Sequence, residues 1–393
     1  MEKIAVVIHG MPHINEGASS VVFYWYIKGL LEAGYDVNCI TIVKKPVDTK
    51  VLEKLYMTLE KSGKIKIQTV ICDEPITYSS IFGPKEINTE LTNSMLNLLN
   101  DYSPSKILCF DIIPAWSAKL YQTAEKIVWL GDLNFETYWY HIFYSLERGD
   151  YRNALENLLY FYPWKKCYIK ALEGCSKIVV CSKSSEKQIK KLRIDSEYLP
   201  YPWPVNKVIR RETNKVPTIA FFGSLAGLGS LSAVTMLVKE IHPKLNKIYG
   251  ARGFIIKIFG KDKFPSFAEE IINRNKEFEM LGYVNNLEEQ LAQCHALMAP
   301  IKVPVGNRTR IITALSHELP VIAHANTALG NPELINGENC LLGYTADEMV
   351  AHFRVLYSQP KLAKKISEGG KKLYLNRFKP SAAVGLIIEK IKE

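Results

Sequence analysis

Two arginines, Arg308 and Arg310, stand just past Gly306 and Asn307, where an apolar run gives way to a helical pattern. The run ends at Ala299 and Pro300 and reads as a buried strand, and a loop rich in Val, Pro and Gly then closes at Gly306. From Asn307 to His317 the apolar residues Ile311, Ile312, Ala314 and Leu315 recur at helical spacing. Strand, glycine loop and helix N-terminus in that order make an anion site, because the first-turn N–H groups have no partner inside the helix. Asn307 is positioned to cap that helix. Two arginines in a first turn oppose the helix dipole, which favours negative groups there. A bound polyanion resolves the conflict, so the stretch is read as an anion site, against the plainer reading of two surface charges.

Other residues able to do chemistry sit at the ends of apolar runs. Asp111 follows KILCF, and Asp132 lies in WLGDLNFE. Strand C-terminal ends are where ligands bind in open α/β sheets. A solvated surface acid is the alternative for each, and function is favoured only for Asp132. Glycines mark three more strand ends: Gly223-Ser224-Leu225, Gly260-Lys261 and Gly282-Tyr283-Val284. The loop His9 to Gly17 lacks the Gly-x-Gly-x-x-Gly signature, which argues against a Rossmann oxidoreductase.

The elements that must hold these residues alternate regularly. Strands are predicted at 3–8, 36–43, 65–72, 106–110, 126–130 and 177–181, with helices between, the first from about Ala18 to Ala33. The βαβ opening and the alternation predict an open, doubly wound parallel sheet. Pro200, Pro202 and Pro204 end this first part, and a polar linker, Asn206 to Val216, follows. The pattern then restarts with a strand at Pro217 to Phe222 and a helix from about Ser230 to Ile248. Later come strands at 255–259, 279–281 and 320–324, and helices from about Ala346, Pro360 and Ser381. The stretch from Tyr138 to Tyr168 carries eleven aromatic residues in thirty-one, with Lys165, Lys166 and Lys170 at its end. Tyr and Trp beside Lys suit a water–lipid interface. Aromatics at helical spacing more often pack inward, so a helical core insert is the favoured reading.

Gly306-x-Arg308-x-Arg310-x-x-x-Ala314-Leu315, Pro320-Val321-Ile322, Pro332-Glu333-Leu334 and Gly337-x-Asn339-x-Leu341-Leu342 occur in that order. Together they resemble the donor-binding segment of family 4 glycosyltransferases. The resemblance implies two Rossmann-like domains facing across a cleft, the glycosyltransferase-B fold. Residues 1–205 would bind the acceptor, 206–380 the nucleotide sugar, and a helix at 381–393 would cross back onto the first domain. It implies retaining transfer from a nucleotide diphosphate donor, UDP-linked by expectation, to a glycan, lipid-linked or small-molecule acceptor in polysaccharide or glycoconjugate synthesis. Arg310 takes the place of the motif's diphosphate-binding Lys, with Arg308, the amides of Gly306 and Asn307, and Lys261 in support. Gly17, Gly223 and Ser224 stand where family loops face the phosphates, and Tyr283 and Val284 where backbone groups meet the base. Asp132 matches a strand end that carries His-Asp or Asp-Asp, with Gly131 where the histidine is usual and His9 and His13 the nearest substitutes. The family's Glu-x7-Glu pair is replaced by Val305 and Thr313, which leaves a second reading: a binding subunit that kept the fold and lost turnover. No metal or other cofactor is expected.

Composition sets the outer limits. At 393 residues, 47% apolar and 23% charged, the chain has the make-up of a globular protein with room for two cores. Of a net charge of +10, residues 1–205 carry 24 basic against 23 acidic side chains and residues 206–393 carry 26 against 17. A basic second half suits an anionic ligand there. Nucleic acid is not expected, since no Lys/Arg run or nucleic-acid motif occurs. Eight scattered cysteines, without a Cys-x-x-Cys pair, fit reduced thiols in the cytoplasm. No signal-peptide pattern or bilayer-spanning run is read, so the protein is expected in the cytoplasm, with peripheral contact at the inner membrane face as the further option.

Overall fold

The computed structural model describes residues 1–78, 85–205, 207, 209–225, 227–260, 263–306 and 308–393. The chain divides into two compact units: Met1–Trp203 with Pro380–Glu393, and Pro204–Lys379.

The first unit opens with β1 (Lys3–His9), α1 (Ala18–Glu32), β2 (Asp36–Val43), α2 (Thr49–Leu59) and β3 (Ile65–Ile71). A two-stranded antiparallel pair, β4 (Ile76–Tyr78) and β5 (Lys85–Ile87), precedes α3 (Thr89–Tyr102) and β6 (Lys106–Phe110). Then come α4 (Ile112–Ser117), β7 (Glu125–Leu130), α5 (Asn134–Glu147) and α6 (Tyr151–Leu172). The unit's sheet is completed by β8 (Lys177–Val180), followed by α7 (Lys183–Lys191) and β9 (Glu197–Tyr198). Strand order is β3-β2-β1-β6-β7-β8-β9, all parallel. Every residue of β2 is buried, as expected of a strand covered on both faces by helices. Side-chain caps fix the helix starts: Asp48 accepts from the Lys50 N–H, Asn88 from the Leu91 N–H and Asp150 from the Asn153 N–H.

The helices α5 and α6 form a hairpin over the former aromatic-rich stretch. Phe135, Phe161, Trp164 and Tyr168 are buried in it, while Trp139, Phe143, Tyr151, Leu155 and Tyr162 are exposed. The hairpin therefore both fills the core and presents an apolar stripe. Lys165 lies 4.8 Å from the Phe161 ring centroid, its stem along the aromatic surface. Among the described residues no helix is long and apolar enough to cross a membrane.

The second unit begins with β10 (Thr218–Phe222) and α8 (Leu228–Met236); a π-helical turn, Leu237–Ile241, leads into α9 (His242–Tyr249). Next are β11 (Ile255–Phe259), α10 (Ser266–Arg274), β12 (Phe278–Gly282), α11 (Leu287–Ala292) and β13 (Ala296–Ala299). They are followed by α12 (Thr309–Ser316), β14 (Val321–His324), α13 (Thr327–Gly330) and β15 (Leu341–Gly343). The helices α14 (Ala346–Ser358) and α15 (Pro360–Leu373) close the unit. Its six parallel strands run β12-β11-β10-β13-β14-β15, the doubly wound order whose direction reverses between β10 and β13.

The last helix, α16 (Pro380–Lys392), belongs to the first unit. It packs on α1, where a Cβ at Gly29 would stand 2.2 Å from Val384 Cγ1, so only glycine allows the approach. Lys177 donates to the Lys390 carbonyl at 2.8 Å, and Lys390 pairs with Glu197 at 3.0 Å. Both ties hold the helix's C-terminal end against the sheet.

Candidate active site

The reversal between β10 and β13 opens a crevice at the strands' C-terminal ends, where open α/β sheets bind ligands. Glycines floor it because backbones meet there without room for side chains. Gly223 follows β10 at φ +122° and donates to the Phe259 carbonyl at 3.1 Å. A Cβ on Gly260 would lie 2.0 Å from the Gly223 carbonyl oxygen, and the Gly260 N–H donates to the Gly282 carbonyl at 2.9 Å. Three strand ends are thereby drawn into one low surface.

Arg310 lies across this floor. Its Nη2 donates to Ser230 Oγ at 2.6 Å and to the Ser224 carbonyl at 3.4 Å. A Cβ at Gly223 would be 3.0 Å from the same nitrogen, and the guanidinium carbon sits 5.7 Å from the Phe221 ring centroid. The Nη1 atom is buried and has no hydrogen-bond partner among the described residues. Burial, with Arg308 adding to it, pushes the Arg310 guanidinium down to about 10, so it remains a cation at neutral pH, with no counter-charge among the described residues. Arg310 lies in the first turn of α12, and Ser230 in that of α8. Neither first turn contains an acidic residue. Two helix N-termini, one partly buried cation with a buried open donor and a bare glycine backbone form a site built for an anion.

Arg308 is buried and takes the N-cap position of α12, one residue before the helix, where the sequence reading began it at Asn307. It donates to the Val303 carbonyl, and its Nη1 would lie 3.8 Å from a Cβ on Gly229. Arg308 therefore braces the loop before α12 while Arg310 crosses to the floor. Gly306 is buried at φ +92°, which permits the turn into that helix. Val305 is buried in the loop, and Thr313 is partly buried, donating to the Thr309 carbonyl at 2.8 Å within α12. Tyr283 is 60% exposed and Val284 partly so, in the loop after β12. Lys261 and Asn307 lie outside the described residues. The structure thus brings Gly223, Ser224, Arg308 and Arg310 into one neighbourhood and adds Ser230, which sequence reasoning missed. A serine in a glycine-rich helix start was its only signal.

Gly17 and Asp132 belong to the first unit. Gly17 precedes α1 at φ +74°, and Asp132 is exposed after β7. More perturbed than either is Asp111, the acid set aside in favour of Asp132. It follows β6 at φ +72° and ψ +175°, a region that is essentially glycine-only and strained by about 1–3 kcal/mol for other residues. Its Oδ1 accepts the Gly131 N–H at 2.8 Å. Burial pushes its carboxyl up to about 7; the Gly131 N–H opposes the rise and the neighbouring Asp132 adds to it. Burial also raises the Tyr168 hydroxyl and the Cys181 thiol, with Asp111 contributing to both. At the end of β1, burial and then Lys44 lower His9. No sequence pattern announces a strained backbone, so Asp111 was visible only as an acid at a strand end.

Residues 216–359 match the family model of the glycosyl transferases, group 1. No curated protein sequence matches the chain. Similar solved structures include sucrose-phosphate synthase from Thermosynechococcus elongatus, at 14% identity and a TM-score of 0.69, covering 100% of this chain and 98% of that one. TarM aligns at 10% identity and a TM-score of 0.74, over 100% and 99% of the two chains. Anabaena HepE in complex with UDP and glucose aligns at 11% identity and a TM-score of 0.64, over 99% of each. The second unit thus matches the group 1 glycosyl transferases, and the full length shares the glycosyltransferase-B fold of these structures.

Proposed function

We propose that this protein is a glycosyltransferase that takes its sugar from a UDP-linked donor and transfers it with retention of anomeric configuration, as family 4 enzymes do. The observation that carries the proposal is Arg310, a partly buried cation whose buried Nη1 has no partner among the described residues, over the Gly223–Gly260 floor. A diphosphate there supplies a counter-charge. As the sugar departs, charge grows on the phosphate, and a fixed cation with helix N-termini stabilises it more in the transition state than before. The departing phosphate then helps to take the acceptor's proton. UDP is favoured because HepE, a similar structure, binds UDP and UDP-glucose. Neither Val305 nor Thr313 offers the ribose a carboxylate. One neutral hydroxyl in its place costs about 1–3 kcal/mol, or one to two decades of affinity, and leaves binding intact. The acceptor, a glycan, lipid-linked sugar or small molecule, falls to the first unit.

The test is proton NMR of UDP-glucose, UDP-galactose and UDP-N-acetylglucosamine incubated with the enzyme alone. Slow release of UDP with the α-sugar appearing first supports the proposal. A β-sugar refutes retention, and stable donors throughout refute the donor class.

The same proposal includes contact of the α5–α6 hairpin with a membrane surface. Tyr151, Leu155, Leu158 and Tyr162 repeat at three and four residues along α6, all exposed, with Lys165 and Lys166 beyond them. Such a stripe with flanking cations suits an interface of apolar tails and anionic headgroups. The protein is expected to co-sediment with anionic liposomes at low salt and to release as salt rises, and absence of low-salt binding removes the membrane from the proposal.

A further inference from the structure

We infer that Asp111 is a direct hydrogen-bonding ligand for a sugar hydroxyl at the strand ends of the first unit. The inference rests on the glycosyltransferase reading above and extends it to a residue that no part of that reading uses.

Three independent observations converge. The first is backbone geometry. Asp111 holds φ +72° and ψ +175°, where glycine alone is comfortable. Turn geometry alone would be met better by glycine, so the carboxyl is kept against a conformational cost. The second is position. In the first unit the strand order reverses between β1 and β6, and Val7 pairs with Cys109 in that register. Two residues further on, His9 and Asp111 leave the sheet side by side at the reversal, where ligands of such sheets bind.

The third is the carboxyl's surroundings. Its Oδ1 accepts the Gly131 N–H at 2.8 Å. A Cβ on Gly131 would stand 3.4 Å from Oδ1 and 3.6 Å from Oδ2, so a bare glycine leaves the carboxyl uncovered on that side. The titratable groups around it are Asp132 after β7, Tyr168 on α6 and Cys181 after β8. Among the described residues no salt bridge joins it to a cation. An acid so placed holds a share of its proton near neutral pH, at about 7.

That state selects the ligand's chemistry. A carboxyl that shares its proton both donates and accepts, and a sugar hydroxyl is itself donor and acceptor. A second anion is disfavoured by Asp132 close by. A permanent cation would hold the acid ionised and leave its strained, buried setting without purpose. The hydroxyl is that of an acceptor sugar, which the proposed function gives to the first unit.

The experiment compares wild type with Asp111→Gly, which removes the carboxyl and relieves the backbone, and Asp111→Asn, which imitates the protonated acid. Transfer from UDP-hexoses to added free hexose is followed beside hydrolysis by water, and UDP affinity is measured by calorimetry. UDP affinity is expected to stay within about twofold in both variants, and Asp111→Gly to melt no lower than wild type. Its transfer to hexose is expected to fall by about tenfold or more, with hydrolysis by water little changed. A raised KM for the hexose with hydrolysis unchanged assigns the hydroxyl to the acceptor sugar. Asp111→Asn should keep more activity and lose the wild-type inflection near pH 7. KM and kcat for the hexose acceptor both within twofold of wild type in Asp111→Gly overturn the inference. Absence of UDP binding by wild type instead defeats the donor reading. The carboxyl can then be followed alone by carbon-13 NMR of aspartate-labelled protein. A signal titrating near 7, absent from Asp111→Asn and shifted by UDP-hexose or free hexose, supports the role, and a signal unmoved by either sugar overturns it.

Discussion

Replacing Arg310 with alanine separates binding from stability. Burial, with Arg308 adding to it, lowers the guanidinium to about 10. At about 1.4 kcal/mol per pH unit, holding that charge costs on the order of 3 kcal/mol. The charged bond to Ser230 returns about 1.5–3 kcal/mol, and the Phe221 ring about 0.5–1 kcal/mol. These nearly cancel, so Arg310→Ala is expected to melt within a few degrees of wild type without ligand. With UDP the balance changes, because the diphosphate supplies the counter-charge and engages the open Nη1. Losing a charge-assisted bond of about 1.5–3 kcal/mol raises the UDP Kd roughly 10- to 150-fold. Calorimetry gives the Kd, and thermal unfolding with and without UDP gives the coupled stabilisation. A Kd within threefold of wild type, or loss of binding only through unfolding, refutes the reasoning.

Three other outcomes follow from particular contacts. A methyl on Gly260 would stand 2.0 Å from the Gly223 carbonyl oxygen, so Gly260→Ala is expected to displace the floor, lower the melting temperature by several degrees and abolish UDP binding in calorimetry. Thr313→Ala removes a hydroxyl already bonded to the Thr309 carbonyl, so UDP affinity should fall by no more than about tenfold; a loss of several decades would give Thr313 a role not seen here. The raised Asp111 carboxyl makes the native state bind more protons than the unfolded chain between about pH 4 and 7, so stability declines across that window. Asp111→Asn should remove part of the decline, gaining on wild type from pH 4 to pH 8 in denaturant titrations, and an equal gap at both pH values would contradict the raised carboxyl.

The sequence patterns reveal much of the fold because parallel strands buried on both faces leave unbroken apolar runs, as in KIAVVI and DVNCITIV. Arg310 was legible for a local reason: a cation at a helix start conflicts with the dipole. Its partner Ser230, 80 residues away in the chain, was not, since only the strand order brings α8 beside α12. Gly260 read as a strand end, but its contact with the Gly223 carbonyl depends on how β10 and β11 meet. Asp111 was passed over because burial and positive φ are set by β1, β7 and α6 around it, none adjacent in sequence. The aromatic stretch misled in part. Its spacing predicts helices, and both form, but spacing cannot say which face a hairpin leaves to solvent.

The most direct measurement is a crystal structure of the protein with UDP bound. The account predicts the diphosphate over Gly223 and Gly260, with one of its oxygens about 2.7–2.9 Å from Arg310 Nη1, the spacing of a charge-assisted bond. UDP bound elsewhere, or a diphosphate that leaves Arg310 Nη1 without a partner, contradicts it.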